Sequence, residues 1–262
     1  MPSALPAVQL LPRPERGRVF SLGTAVRLGD VDTSGRLRLD ATARLLQDVA
    51  NDDASEARLD RRYGWLVRRT MIEVTRVPRL GEGVEVSTWC TGIGRAWAER
   101  RSSIVGDRGG SIDAVSLWVQ VDVTTSRPAR ISSDFRDAYD AAAGGRSISS
   151  RLSLPAEPGS TGPEDPPPVT ARWHVRRTDL DPWGHVNNAA SWAVVEEHVD
   201  LGEGDADREG RAEMEYLHPV EADGDHLDVV VAAARDARHD DTTVWLARSG
   251  IALVVGRWSP IG

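Results

Sequence analysis

Helical spacing marks two stretches of the chain, one at Leu39, Ala43, Leu46 and Ala50 and the other at Asn188, Trp192, Val195 and Val199. Steps of three or four residues put such positions on one face of a helix. Both runs are apolar around much of their circumference, so each predicts a buried helix rather than a surface one. Beyond each helix the period drops to two. "MIEVTRV", "GVEVSTWCTGI", "RAWAERRSSIVG" and "AVSLWVQVDVTT" follow the first, with turn signals such as "GDRGG" between them. "AEMEYLHPV", "HLDVVVAAARDA", "DTTVWLARSG" and "IALVVGRWS" follow the second. Alternation of this kind predicts strands. A long helix followed by a meander, given twice, predicts an α+β protein in which antiparallel sheets wrap around central helices.

The two stretches are copies of each other. "GDVDTSGRLRLDATARLLQD" begins at Gly29 and "TDLDPWGHVNNAASWAVVEE" at Thr178, so that Asp30, Asp32 and Gly35 fall on Asp179, Asp181 and Gly184 at a constant offset of 149. At the same offset Arg36 falls on His185 and Gln47 on Glu196. Further on, Pro78 and Gly83 match Pro219 and Gly224 at an offset of 141. Between the copies, "RLSLPAEPGSTGPEDPPPVT" from Arg151 replaces apolar periodicity with Pro, Gly, Ser and acids, the signature of a linker. The expected division is a tail over 1–17, a first domain over 18–148, a linker over 149–169 and a second domain over 170–262, each domain within the ordinary size range.

Composition narrows the chemistry. A net charge of −8 with no long basic run argues against nucleic-acid binding. No stretch approaches the roughly 20 apolar residues of a membrane span, and the start lacks a leader pattern, so the expected location is cytoplasmic. The single Cys excludes an internal disulfide and a cysteine metal site, and the absence of Lys excludes Schiff-base chemistry. His174, His198, His218 and His226 lack metal-ligand spacing, so neither a metal nor a cofactor is expected. Cys90, within a predicted strand, reads as a small buried hydrophobe.

The loop "DLDPWGHVNN" ahead of a helix resembles the Asp-x-Asn-x-His-Val-Asn-Asn loop of acyl-acyl-carrier-protein thioesterases, the plant type with bacterial relatives, which carry two hot-dog domains in one chain. "LLQDVANDDA" is similar to that family's first-domain helix, and "VEVSTWCTGIGRAWAERRSSI" and "AVSLWVQVDVTTSRPARI" to its first-domain strands. The resemblance implies two tandem hot-dog domains, the second catalytic, and hydrolysis of a fatty acyl thioester, preferably on acyl carrier protein, to free fatty acid. It also implies that Asp181 and His185 are catalytic. Where the family has Asn in the loop this chain has Trp183, and where the plant enzymes have a later Glu-Cys pair it has Pro219 and Val220, with Glu221 one residue beyond as a substitute acid. With no thiol there, the implied route is attack by water with an imidazole as general base, or carboxylate catalysis by Asp181. The helix beginning near Asn187 and Asn188 would offer free N–H groups to the thioester oxygen.

Other readings stand beside these. His185 alone reads equally as a helix-capping loop residue, and Asp179 and Asp181 as turn formers, because Asp30 and Asp32 repeat them in a half that lacks the His. Glu196, on an otherwise apolar helix, is either paired or part of substrate binding, and one of Glu196 and Glu197 is expected at the surface. Trp183 flanks the expected acyl site, and Arg176 and Arg177 precede it as candidates to receive a phosphate-bearing arm. Two fused hot-dogs mimic a dimer within one chain, and such units can pair further into a homodimer. An acyl-CoA thioesterase and a non-catalytic acyl-binding or regulatory protein are the competing functions.

Overall fold

The computed structural model describes residues 9–160, 162, 165–199, 209–222, 226–235 and 240–261. The first half runs β1 (Val19–Ala25), α1 (Leu39–Glu56), β2 (Tyr63–Arg76), β3 (Gly83–Ile93), β4 (Trp97–Gly106), β5 (Ser111–Asp122), a two-residue β6 (Arg127–Pro128) and α2 (Ser133–Ala143). The second runs β7 (Val169–Trp173), α3 (Asn188–His198), β8 (Gly210–Tyr216), β9 (Leu227–Arg235), β10 (Asp240–Arg248) and β11 (Ile251–Pro260). Each half is a hot-dog domain, with the central helix laid against antiparallel strands.

The two sheets are one. The strand order is β1-β3-β4-β5-β2-β8-β11-β10-β9-β7, and the seam is the antiparallel pair β2 and β8, in register from Arg69 opposite Glu215 to Val74 opposite Gly210. This shared sheet presses α1 and α3 against each other, so one core serves both halves. Leu46 and Val49 of α1 and Trp192 and Val195 of α3 belong to it together with Ile72, Val86, Val229 and Val254 from the strands. Each such side chain contributes roughly 1.5–3 kcal/mol by leaving water.

Four elements differ from the sequence expectation. Strands β1 and β7 are edge strands, half exposed, and their weak alternation hides them. Strand β2 begins at Tyr63, inside a stretch whose paired Arg residues mask its period. Helix α2 has Phe135, Tyr139 and Ala143 buried along one face and stops at Gly144, whose left-handed φ of 58° ends it. The Pro-rich segment before β7 is not a slack tether at its start. Glu215, fully buried, accepts hydrogen bonds from the Ser153 and Leu154 backbone N–H groups at 2.6 and 3.0 Å, and Trp245 Nε1 donates to the Pro155 carbonyl at 2.7 Å. Leu154 then packs on Trp245 and Val255, on the sheet face opposite the helices. Gly224, residues 1–8 of the tail and residues 236–237 of the predicted strand lie outside the described residues.

Candidate active site

The loop that carries His185 is built by its acids. Arg177–Asp179 form a single 3-10 turn, and the buried Asp179 carboxylate accepts the Arg176 backbone N–H at 2.8 Å and the Arg176 guanidinium at 2.7 Å. That pairing holds the Arg176 guanidinium above its ordinary pKa. Asp181 Oδ1 then accepts the backbone N–H groups of Trp183 and His185 at 2.9 and 3.0 Å, and the Asp181 N–H returns to the His185 carbonyl at 2.8 Å. Closing so tight a turn needs a left-handed residue, and Gly184 supplies it at φ 83°. The chain leaves the turn through an N–H from Val186 to the Val220 carbonyl, which sets His185 opposite Glu221 in an isolated bridge. It enters α3 at Asn187, whose side-chain oxygen caps the Ala189 N–H at 2.9 Å.

These contacts place each expected site residue. His185 is half-buried and its imidazole makes no hydrogen bond to a described residue. The Asp181 oxygen that accepts hydrogen bonds serves the loop backbone, so it orients His185 through the main chain and not through the ring. Glu221 lies beside His185 with an exposed side chain. Arg176 is committed to Asp179, while Arg177 is exposed on the turn. Trp183 is 74% exposed, yet it forms part of the wall of a cavity of about 630 Å³. That volume lies within the usual range for small-molecule sites.

The cavity belongs mainly to the first half. Gln47, Ala50 and Ala54 of α1 form one side, Trp65, Ala98 and Trp118 of the strands another, and Phe135 of α2 closes it. A smaller pocket shares Gln47 and Trp118 with it and reaches Asn188, Trp192 and Tyr216 at the start of α3. Tyr216 donates to the Asn188 carbonyl at 3.1 Å, and burial pushes its phenol well above the usual range, so it stays a neutral donor. Trp183 and Asn188, on either side of His185, therefore border two pockets that share Gln47 and Trp118 as walls. Gln47 and Tyr216 were missed by sequence reasoning, although Gln47 was already visible as the partner of Glu196 in the repeat.

Glu196 is paired, and its partner belongs to the other half. Eight residues into α3, about 12 Å from its start, its Oε2 accepts the Leu39 N–H of α1 at 2.7 Å. It lines a pocket of about 20 Å³ with Asp32, Arg36, Leu39 and Thr42, not the one at Asn188. A side chain this far along a helix faces the neighbouring element, here the first half's own loop. That loop repeats the second backbone bond for bond: Asp32 Oδ1 accepts from Ser34 and Arg36 at 2.8 and 3.0 Å, and Gly35 takes φ 76°. Arg36 replaces the His, is 4% exposed, and its Nε donates to Asp32 Oδ2 at 3.0 Å. Among the described residues no group of three His, Cys, Asp or Glu side chains is placed to hold a metal ion, and no helix is long and apolar enough to cross a membrane.

Comparison with known proteins adds a family. The family model of the acyl-ACP thioesterase N-terminal domain matches residues 17–139, and that of the C-terminal domain matches residues 166–249. An uncharacterized protein of Mycobacterium tuberculosis is 30% identical over 233 residues, 88% of this chain and 88% of its own. The chloroplastic oleoyl-acyl carrier protein thioesterase of Coriandrum sativum is 27% identical over 250 residues, 87% of this chain and 62% of that one. Among solved structures, a putative oleoyl thioesterase from Lactobacillus plantarum is similar with a TM-score of 0.77 at 19% identity, covering 95% of this chain and 98% of that one. The 12:0-ACP thioesterase from Umbellularia californica gives 0.68 at 19% identity, with 94% and 99% covered. At such identities the structural likeness speaks for the fold.

Proposed function

Since the chain belongs to the acyl-ACP thioesterase family and is a hydrolase of fatty acyl thioesters, we propose that His185 is its general base and that carrier-protein thioesters are its preferred substrates. The imidazole takes a proton from water, and the resulting hydroxide adds to the thioester carbonyl carbon. Negative charge gathers on the carbonyl oxygen, where the Asn188 N–H at the start of α3 stabilises it, the Ala189 and Ala190 N–H groups being taken by Asn187. The intermediate collapses, the C–S bond breaks, and the imidazolium returns its proton to the leaving thiolate. Free acid and carrier thiol are the products, and no step needs a cofactor. Asp181 holds the loop that aims the imidazole, and Glu221, beside it, completes the acid pair. Asn187 caps α3, and Asn188 opens it towards the bound ester.

The observation that supports this reading best is that the residues flanking His185 border the 630 Å³ cavity and the pocket that shares Gln47 and Trp118 with it. The acyl tail occupies that cavity, with Trp183 at its rim. Arg177 receives the phosphate of the pantetheine arm, because the Arg176 guanidinium is already held by Asp179. The enzyme acts in the cytoplasm, in fatty acid biosynthesis, and as units that can pair into a homodimer. His185→Ala should leave the thermal midpoint within a few degrees of the parent and lower kcat at least 10³-fold. Retained turnover in that variant would remove the assignment. CoA is the rival carrier: equal kcat/KM for one acyl group on CoA and on carrier protein would replace the carrier preference with a general thioesterase.

A further inference from the structure

Gln47 belongs to the half without the His, yet it stands at the start of the other half's helix. In the repeat, Leu39 corresponds to Asn188 and Gln47 to Glu196, both at the offset of 149. Each of Gln47 and Glu196 therefore sits eight residues beyond the first residue of its own helix. Because α1 and α3 cross face to face, the structure realises both crossings. Glu196 reaches the beginning of α1, where its carboxylate accepts the Leu39 N–H at 2.7 Å. Gln47 lines the pocket of Asn188, Trp192 and Tyr216 at the beginning of α3, and also the cavity that carries Trp183.

The two crossings differ in one functional group. A carboxylate only accepts hydrogen bonds. Glu196 thus takes a helix-terminal N–H for itself and brings negative charge to the place where an oxyanion would form. A carboxamide is neutral and carries two N–H donors. Gln47 is half-buried, and its side chain makes no hydrogen bond to any described residue. Among the described residues it is a donor without an acceptor.

We propose that the Gln47 carboxamide donates a hydrogen bond to the thioester oxygen, making the first domain a direct contributor to the reaction of the second. This rests on the thioesterase reading above. The donor shares the charge that the Asn188 N–H receives, and it fixes the ester at the start of the helix. The same logic explains the other crossing: with Glu196 on the Leu39 N–H and a guanidinium in place of the imidazole, the first loop binds its own donor and is shut.

The test is steady-state kinetics of the full chain on saturated thioesters of acyl carrier protein and of CoA, from octanoyl to stearoyl. Gln47→Met keeps side-chain length and removes the donor, and Gln47→Glu keeps shape and introduces the carboxylate. The expected result is a fall in kcat of about 10²-fold for each, with KM within a few-fold of the parent and unchanged thermal midpoints. Either variant retaining kcat within twofold of the parent overturns the proposal, as does a loss confined to KM. Should Gln47→Met not fold, Gln47→Glu and Gln47→Ser are read by the same criteria. A parent chain inactive on every thioester would instead overturn the thioesterase reading, and this inference with it.

Discussion

The loop from Asp32 to Arg36 and the loop from Asp181 to His185 share one backbone. In each, an Asp oxygen gathers the N–H groups two and four residues on, and a glycine turns the chain through positive φ. Arg36 turns back onto Asp32 and is sealed from solvent, whereas His185 makes no side-chain bond to a described residue and stays half open. What surrounds the loops differs in the opposite sense. The first half has an 18-residue α1, the additional α2 and the large cavity, while the second has an 11-residue α3. In the proposed reaction a repeated unit divides its work: one copy keeps the reactive side chain, and the other houses the substrate.

The largest structural consequence of that division lies at the far end of α1. Asp53, fully buried, pairs with Arg100 of β4, takes a hydrogen bond from the Tyr139 hydroxyl of α2 at 2.7 Å, and accepts Arg18 Nε ahead of β1 at 2.5 Å. Burial foremost raises the Tyr139 phenol to about 12, so it remains a donor across the working range. The network ties α1, α2 and β4, which are walls of the cavity. Asp53→Ala leaves Arg100 buried without its partner, and the expected loss is about 3–5 kcal/mol of unfolding free energy. Urea denaturation measures it. A loss below about 1 kcal/mol would mean that the cavity half stands on its apolar core alone.

Residue type alone made the loops legible. An Asp followed by Gly three residues later encodes the same turn wherever it falls, and repetition at a constant offset tied the two turns together. The helix faces were legible for the same reason, since periodicity survives any environment. The crossing was not. Local spacing left Glu196 either paired or part of substrate binding, because a helix carries a residue eight positions on about 12 Å from its start, and there the neighbour is the other half. The merging of the two sheets through β2 and β8 escaped notice likewise, because strand pairing between distant segments leaves no mark on local alternation. Helix α2 is a different omission: Ser132, the Phe135, Tyr139 and Ala143 spacing and Gly144 are all helix signals, read past within a run of strands.

A smaller effect tests the crossing itself. Glu196→Ala removes the acceptor from the Leu39 N–H without touching the core. Loss of a helix cap of this kind costs about 0.5–2 kcal/mol, so the unfolding free energy should drop by that amount. Stability equal to the parent would show that water satisfies the Leu39 N–H as well as the carboxylate does, and that the two crossings differ less than their chemistry suggests.

The least effect expected is a pH dependence in the sealed loop. Burial pushes the Asp32 carboxyl up, but the backbone N–H and guanidinium of Arg36 and the N–H of Ser34 outweigh it, and its pKa lies below the ordinary 3.8. A carboxylate with a lowered folded-state pKa adds stability that is fully present above its unfolded pKa and disappears as pH falls through the folded value. Arg36→Met removes the guanidinium part of that effect and leaves the turn's N–H groups in place. The thermal midpoints of parent and variant should therefore differ by a constant amount from neutrality down to the carboxylate range. Below it the gap should narrow, since protonated Asp32 no longer distinguishes the two. A gap that stays the same in acid would assign the burial of Arg36 to packing and to its other partners rather than to the charge on Asp32.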